Sequence, residues 1–119
     1  MSEYVTIMED QDSITLTLYV ESEELMEIGE MLHEINPNAY MNGENWNILL
    51  DAYLEANAPY LLDDMDSDPE AGLYTAIYPL NKENRKKAEQ FKDLLMSFVA
   101  EPGILCEFVS ERGRMIDWD

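Results

Sequence analysis

Hydrophobic residues along this chain recur at two periods, and the switches between them outline its elements. Tyr4 to Met8 and Ser13 to Val20 read as strands. The second alternates cleanly, with Ile14, Leu16, Leu18 and Val20 on one face and Thr15, Thr17 and Tyr19 on the other. The polar stretch Glu9-Asp10-Gln11-Asp12 between them predicts a hairpin, half buried as antiparallel sheets commonly are. From Ser22 the period becomes helical. Leu25, Ile28, Leu32 and Ile35 form a core stripe, Glu23 and Glu24 suit the positive helix end, and Asn36-Pro37 stops the run. A second helix starts near Asn42, where Asn42-Gly43 supplies a turn and a cap. Its stripe is Trp46, Leu49, Leu50, Tyr53 and Leu54, and Pro59 breaks it ahead of a short Tyr60-Leu61-Leu62 turn.

The segment LLDDMDSDPEAG reads as a solvated acidic turn, after which Leu73 to Tyr78 form a strand ended by Pro79. A long helix from Asn81 buries Ala88, Phe91, Leu95 and Phe98 and exposes Lys82, Arg85, Lys86, Lys87 and Lys92. Glu101-Pro102-Gly103 separates a last helix, buried through Leu105, Phe108 and Val109 and capped by Gly113. Arg114 to Asp119 fit an extended tail or a short C-terminal edge strand. The order ββααβαα predicts one α+β domain over residues 1–119, a mainly antiparallel sheet with helices packed on one face.

Composition narrows the class. A chain of 119 residues with 46% hydrophobic content can bury a core without disulfides or metal. Its single cysteine, Cys106, forms no internal disulfide and fits a reducing compartment. The first residues carry neither the basic nor the apolar region of a secretory signal, and no apolar run reaches membrane-spanning length. A cytoplasmic protein is expected.

Charge changes the picture most. Residues 1–81 contain 18 acids and no lysine or arginine, whereas residues 82–119 contain 8 acids and 7 bases; they contribute −18 and −1 to the net −19. Such a field repels nucleic acid and anionic membranes and speeds encounter with basic partners, by roughly 10- to 1000-fold at low salt. Acidity of this degree also serves solubility or a salt-adapted host. A surface built only for solubility, however, usually intersperses both signs.

Catalytic patterns are scarce. His33 and Cys106 each flank a helix's core stripe without a recognisable motif, and the scattered glycines form no phosphate loop. Asp64, Asp66 and Asp68 alternate like the first ligands of a calcium loop. Pro69 then replaces the required glycine and Thr75 the bidentate glutamate, leaving at most a weak calcium site. No cofactor is implied. Tyr40 and Tyr60, beside the acidic segment, suit aromatic anchors on a charged binding surface.

Asn42-Gly43-Glu44-Asn45-Trp46, the turn Glu70-Ala71-Gly72 and the pair Asp117-Trp118 resemble immunity protein family 51 of bacterial polymorphic-toxin and contact-dependent inhibition systems. The resemblance spans residues 36–119 and implies a small acidic α+β protein that occludes a cognate toxin, often a nuclease. It carries no catalytic residues. The expectation is a non-enzymatic inhibitor of a basic toxin domain. Candidate contacts are Tyr40, Glu44, Asp51, Glu55, Tyr60, Asp63, Asp64, Asp66 and Asp68, with Trp46 and Trp118 as structural supports. An acidic adaptor, a DNA-mimic regulator of a basic host protein or a weak calcium module share parts of this profile.

Overall fold

The computed structural model describes residues 4–118. Met1 to Glu3, part of the segment read for a signal, and Asp119, the end of the expected tail, lie outside them. The strands β1 (Val5–Glu9), β2 (Ser13–Tyr19), β3 (Asp66–Pro69) and β4 (Leu73–Pro79) form one antiparallel sheet in the order β1-β2-β4-β3. Four helices complete the fold: α1 (Glu23–Ile35), α2 (Gly43–Asn57), α3 (Lys82–Ala100) and α4 (Gly103–Arg112).

The β1–β2 hairpin closes on Asp10, whose Oδ1 accepts from the backbone N–H of Asp12 and of Ser13, each at 2.8 Å. These bonds, with help from the Ser13 hydroxyl, hold its carboxyl below the usual range. Register then fixes the two faces of the sheet. Leu16 stands opposite Ala76 and Leu18 opposite Tyr74, so the expected alternation of β2 continues into β4. That face is buried against the helices, α2 lying on β3 and β4 and α3 on β1, β2 and β4. The other face carries the partly exposed threonines 6, 15, 17 and 75.

Part of the expected acidic turn is strand. Asp66 pairs with Ile77 and Asp68 with Thr75. The Glu70 N–H donates to the Leu73 carbonyl at 2.8 Å, so by the two-residue alternation Asp66 and Asp68 bond inward while Ser67 and Pro69 point outward. Proline is tolerated there because its missing N–H falls on the free edge. Asp66 and Asp68 thus lie in extended backbone, while Asp64 stands ahead of the strand in a left-handed turn. No group of three or more His, Cys, Asp or Glu side chains is placed to hold a metal among the described residues.

Other departures are local. Ile35 is 40% exposed; Gly29 instead completes the buried face of α1, under Met41. Lys87, expected outside, is only 8% exposed, and its Nζ donates to the Asp63 carbonyl at 3.3 Å. Gly113 is the C-cap of α4 in right-handed helical geometry rather than left-handed. The chain therefore turns on through a 3-10 turn, Gly113–Met115, and no C-terminal strand forms among the described residues. Trp118 is drawn into the core instead.

Two tyrosines of β4 face that interior differently. The Tyr78 hydroxyl donates to the Leu61 carbonyl at 2.6 Å, whereas the equally buried Tyr74 hydroxyl has no partner among the described residues. Burial pushes both phenols up. Tyr74→Phe should leave stability unchanged or raise it by up to about 1 kcal/mol, while Tyr78→Phe, which strands a carbonyl, should cost roughly 1–2 kcal/mol. Urea denaturation of both variants checks the contrast.

Candidate partner-binding surface

The surface is positioned by the start of α2. The Asn42 side chain caps the helix by accepting from the Asn45 N–H at 2.9 Å. Gly43 follows because nothing larger fits. Its N–H donates to the Ala71 carbonyl at 3.0 Å, and a Cβ there would run into the Glu70 carbonyl oxygen. Asn45 is buried and satisfied on both sides: its Oδ1 accepts from Tyr40 N–H at 2.8 Å and Met41 N–H at 3.0 Å, and its Nδ2 donates to the Trp118 carbonyl at 3.0 Å. Trp46 is fully buried beneath. The short motifs Asn-Gly-x-x-Trp, Glu-Ala-Gly and Asp-Trp are thus one constellation assembled from three parts of the chain.

The acidic candidates spread outward from it. Glu44 sits in the first turn of α2, favoured by the helix dipole, and Asp51 and Glu55 lie further along. Tyr60 is exposed on the 3-10 turn Pro59–Leu62, which packs against α2. Asp63 and Asp64 follow, Asp64 with φ 66° in the left-handed region that aspartate tolerates. Asp66 and Asp68 project from the sheet face opposite the helices, beside Ile77 and Thr75. Eight of the nine candidates, all but Tyr40, therefore follow a band along α2 and around the β3 edge, not a single flat patch. The Asp51 carboxyl is pushed up, first by desolvation and then by Glu55 one helical turn away.

Tyr40 belongs to a feature absent from the sequence reading. It is 73% exposed at the rim of a groove of about 380 Å³ between α1 and the 39–42 segment. Leu25, Met26 and Met41 give the groove an apolar lining, with Glu21, Glu30 and His33 beside them. His33 donates through Nδ1 to the Ala39 carbonyl at 3.1 Å, and its ring lies 5.6 Å from that of Tyr40. Met41 adopts φ 56°, a conformation costing roughly 1–2 kcal/mol for such a residue. The pair of bonds into Asn45 holds it there. The helical stripe of α1 was visible in the sequence; its meeting with residues 39–42 was not.

Among the described residues, neither Cys106 nor His33 is placed as an activated nucleophile or its base. Cys106 packs against the core, where burial pushes its thiol up and away from thiolate, and His33 is engaged at Ala39. Among the described residues, no helix is long and apolar enough to cross a membrane.

A small α+β domain, acidic and built round this three-part clamp, is the architecture to be placed. The sequence model of immunity protein 51 matches residues 5–113, and the chain belongs to that family. No curated protein and no solved structure matches it. Family membership assigns the protein to toxin immunity.

Two substitutions separate clamp from surface. Asn45→Ala leaves two N–H groups and a carbonyl unpaired and should cost roughly 2–4 kcal/mol, read by urea denaturation. Asp51→Asn should stabilise by about 0.5 kcal/mol at neutral pH, since a like-charge pair at i, i+4 is relieved. Because the folded carboxyl lies above its unfolded value, that gain is full above the folded pKa and vanishes as pH falls below the unfolded one. Melting curves of both proteins across the acid range test the sign.

Proposed function

We propose that this protein neutralises a cognate toxin by direct binding, laying its carboxylate-rich band across a basic toxin domain. The observation that carries the reading is the complete absence of lysine and arginine from residues 1–81, in a chain of the immunity protein 51 family. Withholding cations for so long costs self-repulsion in the free protein, and a basic partner removes that cost on contact.

In this reading Glu44, Asp51, Glu55, Asp63, Asp64, Asp66 and Asp68 steer and pair with the partner, and Tyr40 and Tyr60 bury against it as anchors. Inhibition is by occlusion in the cytoplasm, without chemistry, cofactor, nucleic acid or membrane. A nuclease is the toxin best suited, because a groove that holds phosphates would accept these carboxylates in their place.

Co-expression with the cognate toxin domain tests the function: cells should survive with this protein and die without it. The mechanism is tested by association rates at low and high salt. The rate should fall steeply as salt rises. A rate independent of salt removes electrostatic steering from the account, even if protection remains.

A further inference from the structure

We infer that the groove between α1 and residues 39–42 is a receptor for one arginine side chain of the partner. The inference rests on the toxin-binding reading and adds to it a site with its own chemistry. The lining from Leu25, Met26 and Met41 matches the aliphatic stem of an arginine. Glu21 and Glu30 supply the countercharge. Neither carboxylate has a hydrogen-bond or ion-pair partner among the described residues, and no lysine or arginine lines the groove. The exposed Tyr40 ring, braced against His33, offers the flat face on which a guanidinium stacks.

The floor of the groove is closely packed where α1 meets residue 41. Gly29 gives α1 no side chain at this point, and a Cβ there would come within 3.2 Å of the Met41 Cβ. Met41, held in its left-handed conformation by Asn45, turns down onto that gap. Met26 stays 53% exposed at the rim although the cavity beside it is apolar. An exposed apolar cleft edged by uncompensated carboxylates fits a ligand that is apolar along its length and cationic at its tip.

The test is an amide-resolved NMR titration of the full chain with N-acetyl-arginine-N-methylamide, in parallel with its citrulline counterpart. Shifts should concentrate at Val20, Gly29, Met41 and Ala71, citrulline should produce none, and E21Q/E30Q should weaken binding about tenfold. Both glutamates are exposed, so this variant folds as the parent does. Shifts spread equally along α2 and β3, or binding indifferent to E21Q/E30Q, overturn the site.

The same variant is then measured against the cognate toxin domain. About tenfold weaker binding supports the inference. Undiminished affinity shows that the toxin bypasses the groove and overturns it, leaving toxin neutralisation intact. A wild-type protein that does not bind the toxin overturns the neutralising function, and with it the partner assigned to the groove, even where the arginine titration succeeds.

Discussion

The Asn45 carboxamide is the joint on which the molecule depends. A buried amide must satisfy its oxygen and its nitrogen, and here each is committed to a different part of the chain. The oxygen fixes the backbone of Tyr40 and Met41; the nitrogen holds the carbonyl of Trp118, across 73 residues of sequence. Its own N–H meanwhile donates to the capping side-chain oxygen of Asn42. One side chain therefore sets where α2 begins, how the preceding loop turns and where the C-terminal segment is laid down. Gly43 adds the sheet to this joint, because only a residue without a side chain lets α2 approach the Glu70–Leu73 turn so closely.

Around the joint the protein tolerates unfavourable electrostatics. Asp51 is partly desolvated beside Glu55, and neither α1 nor α2 contains a lysine or arginine. Where cations enter they arrive from α3: Arg85 pairs with Glu9 at 2.8 Å, and Lys87 reaches the Asp63 carbonyl rather than a carboxylate. Among the described residues no carboxylate of the α2–β3 band forms an ion pair, although Arg112 of α4 lines a cavity with Glu55.

Much of the fold was legible because burial imposes periodicity. The stripes of α2 and α3 and the alternation of β2 fill the interior almost as written, apart from Tyr53, half buried edge-on to Phe98 and Phe108. What could not be read was decided by tertiary context. Four residues of the sequence Asp-Ser-Asp-Pro have poor strand propensity, yet they pair because β4 presents an edge and the proline falls on its open side. Lys87 looked external because nothing in sequence announces a carbonyl waiting 24 residues upstream. Asn42, Gly43 and Trp46 stood out as a motif, but Asn45, the residue that unites them, has no periodic signature. The groove escaped for the same reason, being formed by two segments that meet only in three dimensions.

The long reach of the Asn45–Trp118 bond bears on how the protein is made. While a ribosome is still delivering the tail, the carboxamide nitrogen has no acceptor and Trp118 has not covered the core, so the nascent chain holds an unfinished interior. Closing a contact of such sequence separation is entropically slow relative to local helix and hairpin formation. Maturation therefore waits on the arrival of residue 118.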